Sequence, residues 1–157
     1  MYTLILLLAI VHLSFQLSTT EQPCDVSAIN TTLYIDRMSV GSYSTARFHR
    51  GEFLVGNNWM FLNLTPFKTV VDKLNATVDP SDNLVVKCDD QSIASYSDIV
   101  FTINGVDVIA KPDQYINQEL QYNDQCLVLI WFLEKTADVD YLLPDYLKDQ
   151  VCRAEKQ

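Results

Sequence analysis

Basic residues are scarce in this sequence. Lysine and arginine number 11 against 20 aspartate and glutamate residues, which gives a formal net charge of −9 at pH 7. Proteins that bind phosphate backbones need a basic surface, so this charge balance argues against nucleic acid and anionic membranes as partners. Glycine is also rare, with four in the chain, and no glycine-rich phosphate loop is present. The acidity is typical of a protein kept soluble in an extracellular or lumenal fluid.

Metal-ligand patterns are absent too. The chain has two histidines, and its four cysteines, Cys24, Cys88, Cys126 and Cys152, are far apart. A structural zinc site would need close cysteine pairs or nearby histidines, so we expect no metal and no cofactor. An even number of cysteines in a secreted chain instead predicts two disulfides. The residues alone leave all three pairings open.

A short apolar run lies near the N-terminus, at residues 4–11. It is too short to span a membrane, which takes about 20 apolar residues. The pattern is typical of a secretory signal peptide, which we place at residues 1–20. No later run is long enough to span, so we expect a secreted, extracellular protein without a membrane anchor. Three N-glycosylation sequons fit secretion, at Asn30, Asn63 and Asn75.

Strand patterns dominate the rest of the chain. Residues 32–40 alternate apolar and polar side chains, which predicts a β-strand. The Asn-Gly pair at 104–105 separates two apolar runs, residues 98–103 and 106–110. This is the strongest short signal for a β-hairpin, because both residues tolerate positive φ. Residues 126–133 are continuously apolar, as expected of one strand buried on both faces.

Two further strands are expected within residues 47–64, with breaks at Gly51 and Gly56. A helix is predicted after them, with Thr65 as its N-cap and Pro66 at the first helical position, where the missing N–H costs nothing. Shorter elements are expected at three places: residues 84–86, 112–116 and 141–151. The pattern as a whole predicts a mostly β fold with one or two short helices in a single domain.

One segment is similar to a known family. Residues 84–116 read LVVKCDDQSIASYSDIVFTINGVDVIAKPDQYI, and a further cysteine, Cys126, opens the apolar run that follows. This order resembles the C-terminal lobe of the pepsin-like aspartic proteases (peptidase A1). The resemblance implies a single pepsin-like acid-protease lobe over residues 24–157, with a disulfide between Cys88 and Cys126. Cys24 and Cys152 have no secure counterpart in the family; they could pair with each other and staple the termini, and the sequence leaves this pairing open.

The family's catalytic motif falls within residues 54–66, LVGNNWMFLNLTP. Counting back from the proline, the resemblance puts Asn57 at the catalytic aspartate, Asn58 at the threonine and Trp59 at the glycine of that motif. An amide cannot take or give the proton that the two aspartates of such an enzyme share. A tryptophan in place of glycine is not expected to fit unless the loop changes.

The loss of the aspartate does not depend on the register. Between residues 47 and 71, Glu52 is the only acidic residue. The family also takes one aspartate from each of two lobes, and the resemblance covers one lobe. A homodimer would bring two Asn57 side chains together, still without a base. General acid–base catalysis contributes a factor of about 10²–10⁴, and without either carboxylate we expect no measurable activity.

The sequence therefore predicts a secreted, non-catalytic lobe that acts as an interaction protein. A lone lobe would expose an apolar face, and such a face usually marks an interaction surface. The expected partner is a protein, a peptide or a second copy of the chain. Two alternatives stay open: an aspartic endopeptidase, by family membership, and a degenerate duplicate without a defined role.

Other groups have simpler interpretations. Residues 59–61 are expected in the core or in a partly exposed apolar patch, not in a ligand platform. His49 is expected to be a solvated loop residue and not part of a Ser-His-Asp site, since no G-x-S-x-G motif is present. The acidic residues Asp138, Asp140 and Asp145 are expected to form a solvated face, because a calcium site would need a glycine-turned loop.

Overall fold

The computed structural model describes residues 32–45, 49–134 and 138–154, and the predicted signal peptide lies outside them. The strands are β1 (Thr32–Val40), β2 (Tyr43–Ser44), β3 (His49–Leu54), β4 (Met60–Leu62), β5 (Thr77–Val78), β6 (Leu84–Lys87), β7 (Ile99–Ile103), β8 (Val106–Ala110), β9 (Ile116–Tyr122), β10 (Gln125–Val128), β11 (Ile130–Phe132) and β12 (Tyr141–Pro144). The helices are α1 (Leu64–Leu74), α2 (Asp90–Ser95), α3 (Pro112–Tyr115) and α4 (Asp145–Ala154). The mostly β fold class is confirmed, and the helices of the described residues number four where one or two were expected.

The larger sheet has eight strands in the order β11-β4-β12-β3-β1-β7-β8, with β2 paired to the end of β1. Strand β12 runs parallel to β3, and their last residues, Pro144 and Leu54, are paired. It also lies beside β4, to which it is antiparallel. Because β12 separates β3 from β4, the loop that joins those two strands must cross the end of β12. This topology positions the candidate site.

A β-bulge sets which side chains of β1 enter the core. The register between β1 and β7 shifts between Ile35 and Arg37. The extra residue puts Ile35 and Met38 on the same buried face although they are three positions apart. The Asp36 carboxylate at the bulge accepts a hydrogen bond of 2.9 Å from the Gly105 N–H. The bulge therefore also ties β1 to the hairpin between β7 and β8.

The predicted hairpin between β7 and β8 is confirmed. Asn104 and Gly105 have φ values of 51° and 80°, as a two-residue turn with both φ angles positive requires. Five residue pairs continue the hairpin from Ile103 and Val106 to Ile99 and Ala110.

Gly51 was expected to interrupt a strand, and this was wrong. It lies inside β3, opposite Leu33 of β1. A Cβ at this position would lie 2.6 Å from Cδ1 of Ile35. Glycine is therefore present because the side chain of the neighbouring strand comes this close. Gly56 does end the extended segment, with a φ of 68°.

The smaller sheet has four strands in the order β5-β6-β10-β9. Cys88, directly after β6, forms a disulfide with Cys126 in β10, which confirms the expected pairing. Cys152 in α4 is also disulfide-bonded. Cys24, with which it could pair, lies outside the described residues.

The apolar run 126–133 was expected as one strand, and the structure divides it into two. Strands β10 and β11 belong to different sheets. At Leu129 the backbone N–H donates to the Tyr115 carbonyl at 2.8 Å, and the backbone C=O accepts from Met60 N–H at 2.9 Å. Tyr115 directly precedes β9 and Met60 begins β4, so the chain changes sheets at this residue. A continuous apolar pattern cannot reveal such a change of partners.

Helix α1 begins earlier than expected. Its N-cap is Asn63, whose side-chain oxygen accepts from the Leu64 N–H at 2.7 Å. Thr65 is thus inside the helix, and Pro66 lies in the first turn, where backbone N–H groups have no helical partner. The helix ends at Asn75, a C-cap in the left-handed conformation. No helix in the described part of the chain is long and apolar enough to cross a membrane.

Helix α4 covers the β8 edge of the larger sheet. The Gln150 side-chain amide donates to the Ile109 carbonyl and accepts from the Ile109 N–H, each at 2.8 Å. This pair of hydrogen bonds imitates the bonding of a neighbouring strand. Because unpaired strand edges invite association with other chains, Gln150 protects this edge.

Candidate functional site

The candidate site is the loop of residues 55–59 between β3 and β4. Gly56 turns the chain with its positive φ. The Asn57 side-chain oxygen then accepts a hydrogen bond of 2.8 Å from the Trp59 N–H. This local bond across two residues is the turn geometry that Asn and Asp side chains favour. It places a half-buried amide where the sequence predicted the lost carboxylate, while Asn58 is exposed.

A carboxylate from another element does reach this loop. Asp145, the first residue of α4, accepts a hydrogen bond of 3.1 Å from the Gly56 N–H through Oδ2. Its own N–H donates to the Asn57 carbonyl at 3.2 Å. The position follows from the topology, because β12 ends beside β3 and Asp145 comes directly after β12. The sequence interpretation of Asp145 as part of a solvated acidic face missed this role.

Asp145 is the one acid found bonded to this loop in the part of the chain that the structure describes. Among residues 32–45, 49–134 and 138–154, no other carboxylate accepts a hydrogen bond from the 55–59 loop. Glu52, the only acidic residue in the surrounding sequence, lies within β3. A pair of carboxylates that shares a proton needs both groups in contact. The loop therefore carries two amides, Asn57 and Asn58, and contacts one carboxylate, that of Asp145, which is already bonded to the Gly56 N–H.

Asp140 lies at the other end of β12 and ties three elements together. Its carboxylate accepts from the Arg50 N–H at 3.2 Å and from the Asn63 side-chain amide at 3.1 Å. The His49 ring nitrogen Nδ1 lies 3.4 Å from the same carboxylate. These contacts join the start of β3, the start of β12 and the N-cap of α1. Strand β12 separates Asp140 from Asp145, by about 16–17 Å for five extended residues.

His49 is not the solvated loop residue that the sequence suggested. It begins β3, its side chain is 17% exposed, and its ring forms a T-shaped contact with the Tyr141 ring, with the centroids 4.9 Å apart. Burial raises the pKa of the Tyr141 phenol. No serine hydrogen bond to His49 is found in the described part of the chain.

Asp140 and Asp145, two residues of the predicted solvated acidic face, bind separate backbone amides. No group of three or more histidine, cysteine or acidic side chains lies close enough to hold an ion in the described ranges.

A groove lies next to the loop, and we call it the Trp59–Trp131 groove. Its volume is about 310 Å³, and it is lined by Trp59, Phe61, Asp82, Asn83, Leu84 and Trp131. Three separate segments of the chain supply these residues. Trp59 and Phe61 are half-buried, whereas Met60 between them is fully buried. The loop therefore accommodates the tryptophan by placing it in the groove wall.

The sequons differ in their surroundings. Asn63 uses both side-chain atoms, since its oxygen caps α1 and its nitrogen donates to Asp140. Asn75 is exposed at the other end of the helix. Asn30 lies outside the described residues.

A comparison with models of known protein families identifies the family of this chain. A family model for eukaryotic aspartyl proteases matches residues 16–150. The match covers most of the 157 residues, and the chain belongs to the eukaryotic aspartyl protease family. No curated protein matches the sequence.

Proposed function

We propose that this protein is a secreted, catalytically inactive member of the eukaryotic aspartyl protease family that acts by binding a partner polypeptide. The observation that carries the proposal is the Asn57 amide at the tip of the 55–59 loop, with its oxygen bonded to the Trp59 N–H at 2.8 Å. An amide neither accepts nor releases a proton in the accessible pH range. The loop therefore lacks the group that would activate a water molecule.

Asp145 does not replace the missing base under this proposal. Asp145 is already bonded through Oδ2 to the Gly56 backbone N–H. It also lacks a second carboxylate among the described residues that bond to the loop, so no proton can be shared between two acids.

Secretion is supported by the signal-peptide pattern at residues 1–20 and by the Cys88–Cys126 disulfide. Disulfides persist in oxidising compartments and are rare in the cytosol. A binding role is supported by the Trp59–Trp131 groove, which brings aromatic side chains to the surface beside the loop. Aromatic residues are enriched in binding interfaces.

An acid peptidase assay tests the loss of activity. Purified secreted protein is incubated with denatured globin between about pH 3 and pH 5, where carboxylate pairs of this kind titrate. We expect no cleavage above the background of a buffer control. The matched variant Asp145→Asn removes the only carboxylate that bonds to the loop in the described residues. Cleavage by the unmodified protein that disappears in this variant would refute the proposal.

The binding role is tested on the protein as it is secreted. Native mass spectrometry of material purified without denaturation should show a complex heavier than the chain, with a partner at fixed stoichiometry. A monomer at every concentration, with no partner retained, would contradict the proposed role.

Glycopeptide mapping of the same material tests secretion independently. We expect a glycan on Asn75 and none on Asn63, because a sugar on the Asn63 nitrogen would disturb its bond to Asp140. A chain without any glycan and without a disulfide between Cys88 and Cys126 would contradict passage through the secretory route.

A further inference from the structure

We propose that the Trp59–Trp131 groove binds the guanidinium side chain of an arginine on the partner polypeptide. This inference deepens the proposed function by naming the chemistry of its ligand. It rests on three features of the groove: aromatic walls, one acidic residue whose carboxylate has no partner among the described residues, and a volume that suits a single side chain.

The aromatic walls are held in place by other rings. Trp59 lies 6.4 Å from Phe61 with their planes 30° apart. Trp131 is packed by Phe67 and Phe132, at centroid distances of 5.9 and 5.6 Å. The faces of aromatic rings are negative and attract cations, tryptophan most strongly. Arginine engages such faces more often than lysine because its planar guanidinium can stack on them.

The acidic group belongs to Asp82, the one charged residue among the described residues that line the groove. Asp82 has a φ of 61° and is held there by its N–H, which donates to the Asp79 carbonyl at 3.1 Å. The Asp79 carboxylate fixes the same turn by accepting from the N–H groups of Ser81 and Asn83. In the described part of the chain, no donor or cation is bonded to the Asp82 carboxylate itself. The turn thus fixes the backbone of an exposed acid at the groove, and its carboxylate has no partner among the described residues.

Charge and size both favour arginine over an apolar occupant. The whole chain carries a net charge of −9, so its field attracts cationic segments. A guanidinium can stack on a ring and also donate two hydrogen bonds to one carboxylate. The groove volume of about 310 Å³ is at the small end of the range for ligand pockets, roughly 300–1,000 Å³. It therefore suits one long side chain better than an extended ligand.

Binding in this groove can be followed by intrinsic tryptophan fluorescence. It contains two tryptophans, and both line the groove. The probe is acetyl-Leu-Arg-Leu-amide, and its matched control carries citrulline, which has the shape of arginine without the charge. We expect the arginine peptide to bind about tenfold more tightly than the citrulline peptide. We also expect its binding to weaken as salt is added.

Two variants locate the effect. Asp82→Asn keeps the shape, and asparagine tolerates positive φ, so we expect a folded protein that binds the arginine peptide about fivefold more weakly. Asp124→Asn is the matched control, since Asp124 is an exposed aspartate at a φ of 59° in another turn. Its binding should be unchanged.

Several results would overturn the arginine site. These are equal affinity for the arginine and citrulline peptides, no binding of either, tighter binding of a norleucine peptide, or equal effects of the two variants. A fluorescence change that follows protein concentration without peptide would show that a second copy occupies the groove. Each of these leaves the peptidase assay untouched, so failure of the arginine site is distinct from failure of the non-catalytic function.

Discussion

The close approach of Gly51 to Ile35 makes a quantitative prediction about the packing of β3. A Cβ on residue 51 would lie 2.6 Å from Ile35 Cδ1 and 3.5 Å from the Tyr141 carbonyl oxygen. Ile35 is fully buried, so its terminal methyl cannot move into solvent. Overpacking of this kind costs about 1–3 kcal/mol. Replacement of glycine by alanine where no clash occurs would instead stabilise by about 0.4–1 kcal/mol, so even the sign of the change is informative.

We therefore expect Gly51→Ala to lower the free energy of unfolding by about 1–3 kcal/mol. Ile35→Val removes the clashing Cδ1 atom and alone should cost about 0.5–1.5 kcal/mol. If the clash is the cause, the double variant should be about 1 kcal/mol more stable than the sum of the single changes predicts. Urea unfolding followed by tryptophan fluorescence measures all of these free energies.

The matched control for this cycle is Ile99→Val. Ile99 is also fully buried, but it pairs with Val40 and Ala110 and does not approach Gly51. Its effect should add to that of Gly51→Ala within about 0.5 kcal/mol. The packing argument would be refuted by a Gly51→Ala variant whose free energy of unfolding is not lowered. It would also be refuted if the effects of Gly51→Ala and Ile35→Val added as closely as those of Gly51→Ala and Ile99→Val.

Three further predictions concern polar groups. Asn63→Asp should lower the free energy of unfolding in urea by about 1–3 kcal/mol, because it removes the donor to Asp140 and sets two carboxylates side by side. The control Asn75→Asp, at the exposed end of α1, should change this free energy by about 0.5 kcal/mol or less. Gln150→Glu should destabilise by a similar 1–3 kcal/mol, because it loses the donor to the β8 carbonyl; an unchanged unfolding midpoint would contradict the edge-capping role. The Asp89 carboxylate should titrate at a pH of about 2 in carbon NMR, since hydrogen bonding from Ser92 lowers its pKa from 3.8. Its contribution to stability is therefore present above pH 3.8 and is lost as the pH falls through about 2. Asp89 is the N-cap of α2, where its side chain accepts from the Ser92 N–H, and a midpoint near 3.8 would be inconsistent with this role.

Two local sequence signals compete at the start of helix α1. Thr65-Pro66 and Asn63 are both good sequence signals for an N-terminus. The structure uses Asn63, whose side chain also donates to Asp140, 77 residues later in the chain. That second bond is available only once β12 lies beside β4. A choice between two neighbouring caps was thus decided by a distant strand.

Features that depend on adjacent residues could be predicted from the sequence alone. They include the bounds of β1, the hairpin at Asn104-Gly105, the mostly β class and the absence of an aspartate in the 55–59 loop. Period-two alternation and turn chemistry act within a few residues, so no tertiary information is needed. The absence of aspartate from residues 55–59 can be read from the sequence and does not depend on the fold.

Features that join distant segments were decided only by the tertiary structure. Asp145 reaches the loop because β12 is inserted between β3 and β4. The Trp59–Trp131 groove combines residues from three separate parts of the chain. Residues 126–133 divide between two sheets because their backbone partners change at Leu129. Strand order determines each of these contacts, and strand order depends on how all the apolar faces are buried together, which no single stretch of sequence specifies.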